Sequence, residues 1–324
     1  MSLLYQKWDN PVFNCDLWAW SHKSGVLDEY FYNEELKDKP MWWGPKFKVD
    51  WPKHGAWLRG PKPTGERDSV SLIGSAGFFG RFVHEPFASQ IERNLNLDVY
   101  NFSSGGAGPN NLLFKSDNFF EKVNQSKVCV IHVMSGRSIG NSKWNISESG
   151  TDMHGLFEEH PDYIPSLSGT HKGKMHVSEF WKYAYKNYDL KTLKQLYRES
   201  LENYVKAYEN MFSKIKVPKI LVFNEPRWNG YDNMGRKPMS ECKTKEEIIQ
   251  YHPDPYPQFI FRTSPELWKL IDMCENFVSL CHHKPEKFDS TTDDGKSCNE
   301  YYPTQYAHDV IYSKLEPIIK GYCF

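Results

Sequence analysis

The chain has 324 residues, which suits one large domain with insertions or one domain with an appendage. Its 40 basic and 41 acidic residues leave a formal net charge of −1, which does not argue for a nucleic-acid partner, since such a partner usually needs a basic face, so we expect none. No apolar stretch approaches the length of a transmembrane helix, and the first residues lack the apolar run of a signal peptide, so we expect no membrane partner.

The first segment, residues 1–68, is irregular and rich in Trp, Tyr, Pro and Gly. Such a segment cannot form a core alone, so we predict that it wraps the main domain. Aromatic residues make up 15% of the chain, and each one buries a large area, so packing is the first role we expect for them. The alternative is that some of them form a substrate platform.

From residue 69 onward, apolar runs of strand length alternate with segments of helical periodicity. The predicted strands are 70–74, 99–102, 128–134, 219–223 and 277–280, and the predicted helices are 82–95, 111–123, 190–215, 266–275 and 305–320. This alternation favours a parallel sheet with right-handed crossovers. We therefore predict a three-layer α/β/α domain over 69–324, with strand 70–74 paired to both of the strands that follow it.

Two long polar segments interrupt this α/β pattern. The first insertion covers 135–177 and the second covers 224–264. The second is rich in Pro, Gly and charged residues, and we predict that it forms a lid loop.

Polar loops rich in small residues follow the predicted strands. In parallel sheets, ligands bind beyond the carboxyl ends of the strands, and small residues let backbone N–H groups approach an anion closely. The candidate anion-binding or oxyanion-binding residues in these loops are Gly74, Gly106, Gly108, Asn110, Ser135, Arg137, Ser138 and Asn141.

The order of these loops resembles the SGNH (GDSL-type) hydrolases and transferases. In both, a Gly-Ser turn follows the first strand, a Gly-rich turn with Asn follows the second, Asn follows the third, and a histidine comes late. The resemblance implies a flavodoxin-like sheet with Ser75 as nucleophile and His308 as base. It also implies oxyanion donors from Gly106 or Gly108 together with Asn110 or Asn141.

Two positions depart from the usual SGNH pattern. Gln305 stands three residues before His308, where those enzymes carry aspartate, which leaves Asp309 or a loop acid to orient the histidine. An ungapped alignment of the first motif places Ala76, not Ser75, at the position of the nucleophile. The alternative role for Ser75 is to cap the helix that follows it.

Three longer strings resemble an uncharacterised family of microbial proteins. They are GSAGFFGRFV at 74–83, VMSGRS at 133–138 with Asn141, and YYP at 301–303 with His308. This resemblance implies no activity. Within the second string, Arg137 is either a structural ion-pair partner or a bidentate ligand for phosphate, sulfate or carboxylate, and we favour the ligand role.

The seven cysteines are scattered and include no Cys-x-x-Cys pair, which predicts reduced thiols and a cytoplasmic protein. One group, Cys281-His282-His283 with Cys298, invites a metal site, but its spacing matches no standard zinc pattern. We therefore expect no metal.

Three functions fit these observations. The first is an enzyme that hydrolyses or transfers an ester-linked group through Ser75 and His308, without a cofactor, on a small molecule or a glycan. The second is a sulfotransferase-like enzyme that uses an anionic nucleotide donor, 3′-phosphoadenylyl sulfate, held by the 74–80 turn and by Arg137 with Ser138. The third is a non-catalytic binding protein that keeps the same cleft. The acceptor and the oligomeric state are left open.

Overall fold

The computed structural model describes residues 17–21, 55–59, 63–80, 83, 85–103, 107–111, 114, 117–134, 136, 139–146, 154–157, 174–223, 241–251, 265–280 and 305–324. The strands are β1 (Leu17–Ser21), β2 (Gly55–Arg59), β3 (Ser69–Ile73), β4 (Asp98–Asn101), β5 (Val128–His132), β6 (Asn145–Ile146), β7 (His154–Leu156), β8 (Lys174–His176), β9 (Lys219–Phe223) and β10 (Asn276–Ser279). The helices are α1 (Ala76–Phe79), α2 (Phe87–Leu95), α3 (Asp117–Val123), α4 (Val177–Asn187), α5 (Leu190–Lys214), α6 (Lys245–Tyr251), α7 (Pro265–Asp272) and α8 (Gln305–Cys323).

The largest sheet among the described residues has five strands in the order β10-β9-β5-β3-β4, and all four pairings are parallel. Leu72 pairs with Asn101 of β4, and Ile73 pairs with Ile131 of β5. As the alternation of elements predicted, β3 lies between the two strands that follow it. Every residue of β3, β4 and β5 is buried, which explains their short, nearly continuous apolar runs.

Two buried clusters divide the strand residues between them, because successive side chains of a strand point to opposite faces of the sheet. One cluster contains Val70, Leu72, Val128 and Val130 together with residues of α2 and α8. The other contains Ile73, Cys129 and Ile131 together with residues of α3, α5 and α7. Both faces of the sheet are therefore covered by helices.

Helix α5 matches its predicted range to within one residue. Its buried residues, among them Leu193, Leu196, Tyr204 and Tyr208, follow the helical spacing that the sequence shows. The side chain of Asp189 caps its start by accepting a hydrogen bond from the Thr192 N–H at 2.7 Å.

The insertion at 135–177 contains regular structure that the sequence did not predict. Strands β6, β7 and β8 form an antiparallel sheet, and Trp144 and Phe157 beside them pack with Phe180 and Trp181 of α4. The strands are two to three residues long, too short for their periodicity to be visible in the sequence.

The N-terminal segment also contains strands, although we expected it to be irregular. Strands β1 and β2 pair antiparallel, with Leu17 opposite Arg59. The Arg59 guanidinium is buried and donates hydrogen bonds to the carbonyls of Gly80 and Val83, which ties β2 to the main domain.

Much of the predicted lid loop, at 224–240 and 252–264, lies outside the described residues, while α6 forms within it. Among the described helices, none combines the length and the apolar character that crossing a membrane requires.

Candidate active site

The strand order places a topological switch point between β3 and β5. The chain passes from β3 to β4 on one side, then returns to β5 on the other side of β3, and continues outward to β9 and β10. Open parallel sheets bind ligands in the crevice at this point, beyond the carboxyl ends of the strands. The residues that follow β3 and end β5 are therefore the first place to look for a site.

A serine and a histidine meet at this switch point. Ser75 follows β3 and precedes α1, and its Oγ lies 3.1 Å from Nδ1 of His132, the last residue of β5. The register of β3 and β5 explains the contact. Ile73 of β3 pairs with Ile131 of β5, so the residues that follow these two in each strand also lie side by side. Ser75 is half-buried and His132 is buried. A serine hydroxyl within hydrogen-bond reach of an imidazole nitrogen is the core of a nucleophile–base pair.

The short helix after Ser75 surrounds this pair with apolar packing. The ring of Phe78 stacks on the His132 ring, with centroids 4.6 Å apart and an angle of 21° between the planes. Gly74 makes room for this ring, since a Cβ at position 74 would lie 2.8 Å from the Phe78 Cβ. The Ser75 carbonyl accepts hydrogen bonds from the N–H groups of Phe78 and Phe79, so Ser75 starts α1 through its backbone while its hydroxyl faces His132.

Two tyrosines of α5 form hydrogen bonds with the backbone at the carboxyl end of β5. The Tyr208 hydroxyl donates to the His132 carbonyl at 2.9 Å and accepts from the Met134 N–H at 2.6 Å. The Tyr204 hydroxyl donates to the Met134 carbonyl at 2.7 Å. Burial raises the pKa of both phenols, so both stay protonated and act as neutral hydrogen-bonding groups. They fix the backbone of His132 and Met134 at the carboxyl end of β5.

The histidine that the SGNH resemblance implied, His308, has other partners. Its Nδ1 accepts a hydrogen bond from the Phe87 N–H at 3.2 Å, and its ring stacks with the Phe87 ring at 5.6 Å. The Cε1 atom of His308 lies near Gly80, beyond the end of α1, whereas Ser75 precedes α1. Within the described residues, no hydrogen bond joins His308 to Ser75, and the histidine within hydrogen-bond distance of the Ser75 hydroxyl is His132.

His308 is a neutral, fully buried residue. Burial, and to a smaller extent the charge of Arg59, lowers its pKa to about 3. Its Nε2 is buried and has no hydrogen-bond partner among the described residues. An imidazole with a pKa near 3 is a weak base at neutral pH, which fits a role in packing better than a role in proton transfer.

The other predicted site residues have different surroundings. Gly108 is buried, and its carbonyl accepts from the Asn111 N–H in a turn that also contains Asn110. Asn141 holds a turn instead of facing the Ser75 hydroxyl: its Oδ1 accepts from the N–H groups of Lys143 and Trp144, and its Nδ2 donates to Ser200 Oγ. Gly106, Ser135, Arg137 and Ser138 lie outside the described residues.

The sequence carries one signal that points to His132, although we did not select it. It is the one histidine among aliphatic and sulfur-containing side chains in the run VCVIHVM, which predicted the most buried strand. A buried polar side chain at the end of a central strand needs a hydrogen-bond partner, so a histidine at this position predicts a second polar group beside it. Ser103, which comes shortly after β4, is another buried polar residue at this edge of the sheet. Unlike His132 Nδ1, its Oγ has no hydrogen-bond partner among the described residues.

The described residues contain no group of three or more His, Cys, Asp or Glu side chains that could hold a metal ion. The sequence group Cys281-His282-His283 with Cys298 lies outside these residues.

The comparisons with known proteins give a family model and several distant structures. Residues 46–149 match a family described as a domain of unknown function, DUF6473, and this range contains both Ser75 and His132. The match covers less than half of the chain. A comparison with curated proteins finds no relative.

Among solved structures, a protein from Lactobacillus plantarum is 10% identical, with 80% of this chain and 99% of that one covered and a TM-score of 0.38. A family two carbohydrate esterase from Clostridium thermocellum, in complex with cellohexaose, is 12% identical, with coverages of 84% and 68% and a TM-score of 0.36. An acetyl xylan esterase from Butyrivibrio proteoclasticus is 11% identical, with coverages of 82% and 67% and a TM-score of 0.34.

Proposed function

We propose that this protein is an SGNH-like enzyme that hydrolyses or transfers an ester-linked group, with Ser75 as nucleophile and His132 as its base. The observation that carries the proposal is the 3.1 Å contact between Ser75 Oγ and His132 Nδ1. It lies at the switch point of a parallel sheet, where ligands bind in this class of fold. An ester on a small molecule or a glycan is the substrate class that we propose.

The contact defines a two-step reaction. When His132 carries its proton on Nε2, Nδ1 accepts the Ser75 proton as Oγ attacks the ester carbonyl carbon. The imidazolium then gives that proton to the leaving alcohol oxygen as the ester bond breaks. In the second step, Nδ1 takes a proton from water or from an acceptor hydroxyl, which attacks the acyl-serine, and the proton returns to Ser75 Oγ. Water gives hydrolysis, and an acceptor alcohol gives transfer.

The developing oxyanion needs hydrogen-bond donors close to Ser75. Gly74 follows β3, and Gly108 and Asn110 come after β4, at the carboxyl edge of the sheet. We propose that N–H groups of these residues, and of Gly106 as the sequence predicts, supply the donors. Asn141 is a weaker candidate, because its side chain already holds the turn with Trp144 and the contact to Ser200.

A fluorophosphonate probe tests the proposal, because it reacts with a serine only when a base activates the hydroxyl. The wild-type protein should be labelled at Ser75, as read by peptide mass spectrometry. Ser75→Ala should abolish labelling and ester turnover, and His132→Asn should reduce turnover by roughly a thousandfold or more, since members of such a unit fail together. The asparagine keeps a hydrogen-bonding atom near the position of Nδ1 but cannot take up the proton.

Ser313→Ala is the matched control, because Ser313 is an exposed serine of α8 whose Oγ donates to the Val310 carbonyl. It should leave labelling and turnover unchanged. Absence of label at Ser75, in a protein that adenosine 3′,5′-bisphosphate stabilises against heat, would contradict the ester proposal and support the sulfotransferase-like alternative.

A further inference from the structure

The aromatic ring that lies against His132 has a geometry suited to a chemical role. Phe78 is fully buried, and its ring is nearly parallel to the imidazole, at 21°, with centroids 4.6 Å apart. A benzene ring carries negative potential on its faces, and it attracts a cation that lies within about 6 Å of its centroid. The His132 ring is within that distance and meets a face of Phe78, not its edge.

The backbone keeps this ring and the nucleophile together. The Phe78 N–H donates to the Ser75 carbonyl at 3.0 Å, so one turn of α1 positions both residues. On its other side, the Phe78 ring meets Phe87 edge-on, at 4.8 Å and 73°. The absence of a side chain at Gly74 lets the Phe78 side chain pack in this place, because any Cβ at position 74 would lie within 3 Å of it. The helix backbone and the close approach of Gly74 therefore suffice to keep the Phe78 ring against His132.

Transfer of the Ser75 proton creates a positive charge on His132 at the place where Phe78 presents its ring face. The attraction between the ring and the imidazolium is larger than that between the ring and the neutral imidazole, and burial strengthens it. We infer that Phe78 is a positioning residue for His132, whose ring face stabilises the imidazolium formed when Ser75 is activated. This inference rests on the proposed function and deepens it.

Other charged and titratable groups lie on the elements around Phe78 and His132. Tyr208 of α5 donates to the His132 carbonyl and is neutral. Arg59 of β2 and His308 of α8 lie near Gly80 and Phe87, with the Phe87 ring packed between His308 and Phe78. A test of Phe78 must leave these groups in place.

The test is an NMR titration of His132 in protein labelled at histidine, with the signal assigned from its loss in His132→Asn. Phe78→Leu removes the ring face, and we expect the pKa of His132 to fall by roughly 0.4 to 1.5 units. The kcat for ester hydrolysis above that pKa should fall by roughly two- to thirtyfold, with KM unchanged.

Phe87→Leu is the matched control, because Phe87 is equally buried in the same cluster and contacts Phe78 without stacking on His132. It should weaken the core by a similar amount and leave the His132 titration unchanged. If Phe78→Leu does not fold, replacement of Phe78 by pentafluorophenylalanine keeps the shape of the ring but reverses the charge of its face, and it should also lower the pKa of His132.

The inference and the proposed function fail in distinguishable ways. An unchanged His132 titration in Phe78→Leu, or an equal shift in Phe87→Leu, overturns the inference even when Ser75 is labelled by fluorophosphonate. A shifted titration in a protein that is never labelled at Ser75 overturns the proposed function, and with it the role of Phe78 in the reaction.

Discussion

Acidification from pH 7 to pH 5 should destabilise the fold through His308. In the folded protein, burial lowers the pKa of this imidazole from 6.5 to about 3. Between these two values, the unfolded chain binds a proton at His308 and the folded chain does not. The free energy of unfolding therefore falls as the pH drops below 6.5, and this loss continues until the pH reaches about 3.

The size of the effect follows from the two pKa values. Well below the unfolded pKa, the contribution of His308 falls by about 1.4 kcal/mol for each pH unit. Between pH 7 and pH 5 the sum is about 2 kcal/mol, which is a large share of the roughly 5–15 kcal/mol that stabilises a typical domain. At pH 7 the residue is neutral in the folded chain and mostly neutral in the unfolded chain, so its contribution to the pH dependence there is small.

Urea unfolding of the wild type and of His308→Asn, at pH 7, 6 and 5, measures this contribution. The asparagine Oδ1 can take the place of Nδ1 as acceptor for the Phe87 N–H, and the variant has no group that titrates at this position. All other titrating groups are shared, so they cancel in the comparison. We expect the wild type to lose about 2 kcal/mol more than the variant between pH 7 and pH 5. Equal losses would refute the assignment of His308 as a buried neutral imidazole.

Three further predictions concern the residues around the site. Tyr208→Phe should lower the free energy of unfolding, measured by urea unfolding, by roughly 1–3 kcal/mol, because it leaves the buried Met134 N–H without its acceptor and removes the hydroxyl that donates to the His132 carbonyl. An unchanged midpoint would mean that water replaces the hydroxyl. Gly80→Ala should cost roughly 2 kcal/mol or more, because Gly80 has a φ of +69° and a Cβ there would lie 2.7 Å from Pro86. Gly321→Ala, where a Cβ meets nothing within 4 Å, is its control and should leave the thermal midpoint equal or higher. Asn141→Ala should lower the thermal midpoint yet leave fluorophosphonate labelling of Ser75 intact, and loss of labelling in a folded variant would restore Asn141 as an oxyanion donor.

The alternation of apolar runs and helical segments was enough to predict the central sheet. The strands at 69–73, 98–101, 128–132 and 219–223 lie within a few residues of their predicted ranges and pair in parallel as expected. Local patterning suffices here because a buried parallel strand is a short apolar run, and its crossover helix must follow it in the chain. The same reasoning predicted a ligand-binding loop after the first strand, and the SGNH resemblance added Ser75 in that loop as the candidate nucleophile.

Residue spacing does not reveal which histidine meets Ser75. The SGNH resemblance favoured His308, but that side chain is engaged with Phe87 near the far end of α1, while the register of β3 and β5 places His132 beside the serine. The pairing of β1 with β2 and the small sheet in the first insertion were also missed. Each of these contacts joins separate segments of the sequence. Strand register and side-chain packing decide whether such segments meet in space. The alternation of elements therefore predicted which segments form the parallel sheet and that the first of them lies between the next two, and the tertiary structure decided which polar groups meet at the edge of the sheet.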